Sequence, residues 1–265
     1  MQTDFKELLN SAYIFLKDVT DKVQLISSAT GNDDINGLLS YPLSSAGHML
    51  RPLLVYLTSL ATDGEITNET NQKLVTFAAA VELIHNASLI HDDLLDREEL
   101  RRGKPSLYKQ YGPNAALLAG NCFYIKALEL SNTQLDSAIT DAIIKTAFHM
   151  CTGELLQASY QNRQMPKNVY LDIVKAKTGG LTALACKGAA IITGSFFVEY
   201  WEEIGSRIGV LYQLKDDLKD QDAHVSSDFN FEAALAQYMK ETEELLEKIN
   251  CADKNKRFSE LIRFF

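Results

Sequence analysis

Asp92, Asp93 and Asp96 end the run Glu82–Asp96, and Arg101-Arg102-Gly103 follows at once. The run holds no Pro or Gly, and its apolar residues recur every three or four positions, so it reads as helix. Helical spacing sets Asp92 and Asp96 at i,i+4 and Asp93 and Asp96 at i,i+3, which crowds three charges at one end of one face. Like charges this close repel, and they disfavour the helix unless something positive sits between them. Carboxylate oxygens suit a hard cation, and Mg²⁺ held by few carboxylates completes its shell with waters and phosphate oxygens. A solvated acidic helix end explains one such Asp-Asp-x-x-Asp equally well. The spacing recurs, however, at Asp216, Asp217 and Asp220, preceded by Tyr212, Gln213 and Lys215. Two such triads at the polar ends of apolar helices can face each other and hold a diphosphate through bridging metal ions.

The stretch from Gly47 to Asp220 resembles the trans-type polyprenyl diphosphate synthases, medium- and long-chain bacterial members in particular. Glu82–Asp96 with Leu100–Pro105 is similar to the first aspartate-rich region, and Tyr212–Asp220 to the second. Gly153-Glu154 with Gln157, and Lys177-Thr178-Gly179, resemble the landmarks between them. The resemblance implies a reaction in which an allylic diphosphate ionises, isopentenyl diphosphate attacks the cation, and a proton is lost. It implies several Mg²⁺ ions, three in number, bridging the diphosphate. Asp92, Asp96 and Asp216 are the expected direct ligands, with Asp93, Asp217 and Asp220 positioning metal waters or other ligands. Arg101 and Lys177 are expected on the allylic diphosphate. His48, Arg51, His85 and Arg102 are expected on isopentenyl diphosphate. Thr178 and Gln213 offer oxygen dipoles to the carbocation, and Gln213 lies one turn before Asp216. His91 reads equally well as a structural residue.

A carbocation needs a dry pocket, because water quenches it. Phe77, Ala80, Val81, Ile84, Ala87 and Ser88 recur at helical spacing on the N-terminal side of Asp92. That face is expected to set product length. One isoprene unit matches about one helical turn, roughly 5.4 Å. Ala87 and Ser88 are too small to close a tunnel where many farnesyl-making relatives carry an aromatic, and Phe77 is the expected floor. The expected product is geranylgeranyl or longer, with hexaprenyl to heptaprenyl favoured. A packed core face accounts for the same pattern.

Three features depart from the family pattern. Gly47-His48-Met49 stands where Gly-Lys-Arg is usual, so a titratable imidazole replaces a phosphate-binding lysine. Gln221–Asn230 carries no Gly-Lys pair, and the carboxy-terminal part is short. Weakened isopentenyl diphosphate binding and dependence on a partner subunit follow as expectations. The second reading is therefore a regulatory or partner-dependent subunit of a heteromeric synthase. A terpene cyclase normally lacks the second triad.

The elements that must position these residues are helices. Apolar stripes mark Phe5–Leu25, a short helix near Ile35–Leu39, and a helix from Gly47 to Ala61 with Pro52 in its first turn. Asn68 reads as the cap of the central helix, which runs to Asp96. A polar loop is expected over Glu98–Ser106, then helices over Asn114–Leu130 and Leu135–Asn162. A pair over Val169–Phe197 is interrupted or kinked at Gly179-Gly180, and further helices cover Glu199–Asp220 and Phe229–Ile249. No segment shows sustained strand alternation. The reading is an all-α, single-domain antiparallel bundle over residues 1–265 around a central cavity. The 265 residues are 46 % hydrophobic, enough for a sizeable core, and the net charge of −9 argues against a nucleic-acid or anionic-membrane surface. Cys122, Cys151, Cys186 and Cys251 show no CxxC spacing and read as ordinary thiols. Gly179–Val198 is interrupted by Lys187 and reads as a buried helix, not a membrane span. With no signal-peptide pattern at the N-terminus, a cytoplasmic protein is expected, as a homodimer or heterodimer.

Overall fold

The computed structural model describes residues 2–44, 47–62, 65–160, 163–220, 229–249 and 256–264. Helices α1 (Gln2–Ser11) and α2 (Tyr13–Ser27) divide at Ala12, where one helix is expected from the stripe. The stripe itself crosses the break: Leu8, Ala12, Phe15, Val19 and Val23 are all buried. Helix α3 (Asp33–Ser40) begins where Asn32 Oδ1 accepts hydrogen bonds from the Asp34 and Ile35 amides at 3.0 and 3.1 Å. Helix α4 (Leu50–Ala61) follows, then α5 (Asn68–Leu95). Thr67, not Asn68, caps α5: its backbone is extended, and its hydroxyl accepts from the Thr70 amide at 3.1 Å.

The expected polar loop contains a small antiparallel hairpin, β1 (Leu100–Arg101) with β2 (Lys104–Pro105). Its two turn residues, Arg102 and Gly103, have φ of 51° and 77°. Positive φ at both central positions matches the twist of the flanking strands. Helices α6 (Leu107–Tyr111), α7 (Pro113–Gln134) and α8 (Ser137–Ala158) come next.

Beyond them α9 (Lys167–Val174) runs without interruption through a π turn (Lys175–Gly179) into α10 (Gly180–Ile192). The Gly179-Gly180 break expected from the sequence is thus a continuous, wider turn. Such turns recur at functional sites. The Thr182 hydroxyl covers the carbonyls it leaves, donating to Thr178 and Gly179 O at 3.1 and 3.0 Å. Helices α11 (Val198–Asp220), α12 (Phe231–Lys248) and an unanticipated α13 (Lys256–Phe264) complete the order. Phe258 of α13 lies against Trp201 of α11 with ring centroids 5.2 Å apart.

Helix α5 is the axis. It packs most extensively on α7 and also meets α2, α4 and α10. Nearly every residue from Leu74 to Ala87 is buried, as befits a helix apolar all round. By length and hydropathy α5 is able to cross a membrane, yet 78 % of its apolar window is buried within the bundle. Gly179–Val198 behaves likewise, since most of α10 is buried. Helices α5 and α11 carry the two aspartate clusters at their C-terminal ends.

Helix α11 approaches the π turn through Gly209. A Cβ there would lie 2.8 Å from both Gly179 Cα and the Thr178 carbonyl oxygen. Backbone atoms cannot swing aside, so the helices would have to separate. Gly209→Ala should destabilise the fold by about 1–3 kcal/mol. Urea unfolding measures this, and an unchanged midpoint would disprove the close-approach account.

Candidate active site

One cavity of about 1370 Å³ opens among these elements. Its walls include Asp92 and Asp96 from α5, Asp216 and Asp217 from α11, and Lys177 and Thr178 from the π turn. Gln213, His48, Arg51, His85, Arg101 and Arg102 line it too. The sequence-predicted groups for metal, phosphate and cation therefore meet in one space. The Asp220 side chain and residues Gln221–Asp228 lie outside the described residues.

The first triad does not stay together. Successive helical residues are rotated by about 100°, so Asp93 turns away from the cavity while Asp92 and Asp96 face it. Asp93 is buried beneath Arg101, whose Nε donates to Asp93 Oδ1 at 2.8 Å. Burial raises the Asp93 carboxyl in spite of that bond. What Asp93 does here is aim Arg101.

Asp92 shows which effect wins. Burial pushes its carboxyl up from 3.8 to about 6, against the attraction of Lys177 and with the repulsion of Glu154 and Asp96 added. Asp96 is raised for the same leading reason. Lys177 is held by an ion pair with Glu154 and by a hydrogen bond to Gln157 Oε1 at 3.0 Å. Glu154 and Gln157 share one face of α8, a spacing visible in the sequence, although neither was given a role there.

In the second cluster Asp217 has both oxygens engaged, Oδ1 by Gln213 Nε2 at 2.8 Å and Oδ2 by the Tyr170 hydroxyl. Asp216 makes a loose ion pair to Lys219, at 3.5 Å, and a hydrogen bond with the Tyr212 hydroxyl. Asp92, Asp96 and Asp216 line the cavity, as Asp217 does with both oxygens already engaged. As a donor set they fit a hard cation. Among the described residues no three Asp, Glu, His or Cys side chains enclose an ion by themselves. That suits Mg²⁺, which takes much of its shell from waters and phosphate oxygens.

On the other side Arg51 Nη1 donates to His85 Nε2 at 3.1 Å. Guanidinium only donates, so Nε2 must be the bare nitrogen and the ring proton sits on Nδ1. Burial, then Arg51, Arg102 and Arg101, hold His85 well below its ordinary pKa, which keeps it neutral. Glu82 supplies a counter-charge beneath, fixed by Asn86 Nδ2 at 3.3 Å, and burial raises its carboxyl. His91 contacts the Leu117 carbonyl at 3.3 Å and the Tyr124 ring. All three residues line the cavity.

Of the proposed chain-length residues, Ser88 lines the cavity. Phe77, Ala80, Val81, Ile84 and Ala87 are fully buried and are packed away from it. Phe77 presses on α10 at Gly188, where a Cβ would lie 2.5 Å from Phe77 Cε1. Past Ser88 the cavity is bounded by Tyr124 of α7 and Met150 and Cys151 of α8. Sequence reasoning did not single out Tyr124 or Tyr170, which lie on helices remote from both motifs and carry no spacing signal. Cys186 is buried, Cys122 and Cys151 are exposed, and Cys251 lies outside the described residues.

Residues 32–228 match the polyprenyl synthetase family. The chain is 32 % identical over 191 residues to a geranylgeranyl diphosphate synthase of Methanosarcina mazei, covering 69 % of this chain and 57 % of that protein. A short chain isoprenyl diphosphate synthase of Methanocaldococcus jannaschii is 30 % identical over 225 residues, 81 % of this chain and 67 % of that one. Heptaprenyl diphosphate synthase component 2 of Bacillus subtilis is 31 % identical over 218 residues, 79 % and 60 % respectively. The chain thus spans between about half and two thirds of the length of these relatives. An isoprenoid synthase family member from Thermotoga neapolitana superposes with a TM-score of 0.83 at 26 % identity, over 94 % of this chain and 98 % of that one. A Caulobacter crescentus polyprenyl synthase, complexed with calcium and isoprenyl diphosphate, shares the fold at a TM-score of 0.79 and 21 % identity, over 98 % and 96 %. This chain belongs to the polyprenyl synthetase family.

The Asp92 shift has a sign that stability measurements read. Its folded pKa lies above the unfolded value, so its favourable contribution is complete below pH 3.8 and is lost as pH rises through about 6. Without metal, Asp92→Asn should therefore be more stable than wild type at pH 7.5, by roughly 1–3 kcal/mol. The gap should close as the pH falls to about 4. Equal unfolding midpoints in EDTA at pH 7.5 would overturn the burial argument.

Proposed function

We propose that this chain is a prenyltransferase joining isopentenyl diphosphate to an allylic diphosphate, with geranylgeranyl or longer products. The carrying observation is that aspartates from both clusters, the cationic set and the Thr178–Gln213 pair line one cavity. Asp92, Asp96 and Asp216 would hold several Mg²⁺ ions, three in our reading. When bound, these would neutralise the charge that develops on the leaving diphosphate.

The chain's own residues supply the rest. Arg101, aimed by Asp93, and Lys177, held by Glu154 and Gln157, grip the allylic diphosphate. Arg51, Arg102, His48 and neutral His85 hold isopentenyl diphosphate, His85 donating through Nδ1. Thr178 and Gln213 turn oxygen dipoles to the allylic cation, and the apolar walls keep water from it. Product length is read along α5 at Ser88, which lines the cavity and leaves room that an aromatic would fill, whereas Ala87 is packed away from it. Relatives named for geranylgeranyl and heptaprenyl products support this reading, beside others named only as short chain synthases or for decaprenyl.

A paired molecule is also part of this reading. Ile125 on α7 and Ile144, Phe148 and Leu155 on α8 are exposed, with Phe148 at 65 % and Leu155 at 71 %. A surface this apolar calls for a cover, and a second copy meeting it face to face is the arrangement we favour. The heteromeric alternative draws on His48-Met49 and on the "component 2" in one relative's name.

Purified chain, Mg²⁺, allylic diphosphates of graded length and labelled isopentenyl diphosphate test the reading. Products should be geranylgeranyl or longer, and Ser88→Tyr should stop synthesis near farnesyl. Asp92→Ala and Asp216→Ala should each lower turnover by about three powers of ten. Wild type stopping at farnesyl sinks the length assignment, and near-normal turnover in the Asp variants sinks the metal assignment. Phe148→Glu should yield a monomer in sedimentation velocity; a wild-type sedimentation coefficient would rule out that face.

A further inference from the structure

Tyr170 belongs to neither aspartate motif, yet it closes a chain of hydrogen bonds that ends in the cavity. Its hydroxyl donates to Asp217 Oδ2, while Gln213 Nε2 donates to Asp217 Oδ1 at 2.8 Å. The Thr178 hydroxyl donates to Gln213 Oε1 at 3.0 Å. Each direction is forced by the chemistry of the next group. An ionised carboxylate only accepts, so Gln213 must present its amide nitrogen to Asp217. Its carbonyl then faces Thr178, and a carbonyl also only accepts. Thr178 must therefore spend its single proton on Gln213, which leaves the lone pairs of Oγ1 to its other surroundings. Thr178 lines the cavity.

We infer that Tyr170 is a positioning residue: by locking the Asp217 carboxylate it fixes the direction of this chain, so that Thr178 shows the cavity an oxygen with no proton on it. A developing carbocation is stabilised by such an oxygen, whereas a hydroxyl free to spin spends part of its time pointing a positive hydrogen at it. The inference rests on the proposal that Thr178 faces the cation. Packing holds the device in place. Tyr170 is buried, and its ring lies edge-on to Phe229 and Phe231 at centroid distances of 5.2 and 5.8 Å. Residues from α9, the π turn and α11 are thereby tied into one unit.

Tyr170→Phe keeps the ring and its aromatic contacts and removes only the donor, which suits a double-mutant cycle with Thr178→Val. Single-turnover rates and both Michaelis constants are measured for wild type, each single variant and the pair. Tyr170→Phe should lower kcat by about tenfold, with both Michaelis constants within about twofold. In the Thr178→Val background the same change should have no further effect, because the hydroxyl it orients is gone. Multiplicative losses in the double variant, or an unchanged kcat in Tyr170→Phe, would overturn the role given to Tyr170. A wild-type kcat in Thr178→Val would instead overturn the reading of Thr178 on which it rests. Thermal melts of all variants and recovery of kcat in Thr178→Ser separate the orienting effect from loss of fold.

Discussion

Taking water away from Asp92 raises the cost of its charge by more than Lys177 offsets, and much of the architecture follows from that imbalance. Asp96 and Glu154 add to it from two directions. Left alone, such a cluster lowers stability near neutral pH. Filled with cations and a diphosphate, as proposed above, it would turn from net repulsion to attraction, because low local polarity magnifies both. Affinity for a polyanion carried by hard cations is therefore bound up with an unfavourable empty state.

The remaining charged side chains are arranged so that few of them float. Asp93 fixes Arg101, Glu154 and Gln157 fix Lys177, and Arg51 sets the proton of His85. Asp93 does so from outside the cavity, whereas Glu154, Gln157 and Arg51 line it beside the groups they hold. Restricting long side chains beforehand lowers the entropy lost when a ligand arrives.

Much of this was legible in the sequence. Two repeats of one acidic spacing on apolar helices located carboxylates that line the cavity, and helical periodicity located most elements to within a few residues. Spacing could not say which aspartate of a triad faces inward, because Asp93 is separated from Asp92 only by its rotation about the axis and by Arg101 beneath the hairpin turn. Nor could it show the π turn, since Lys175–Gly179 reads as ordinary helix until its hydrogen bonds are drawn. Tyr170 was invisible for a different reason. Its partner is remote in sequence, and only the crossing of α9 and α11 brings them together. The division at Ala12 has no signal in the residues, as alanine favours helix.

The turn at Lys175–Gly179 also bears on how related chains should be compared. A π turn takes up one residue more than an α turn, so everything beyond it is displaced by about 100° from the phase of the helix before it. A helical wheel drawn through Lys167–Ile192 without that offset would mark the wrong side of α10 as inward. Losing one residue within this turn would barely alter the length of the segment, yet it would exchange the whole set of side chains that α10 offers to α11. Length variation here is a change of phase, and alignments that place a gap a few residues to either side would conceal it.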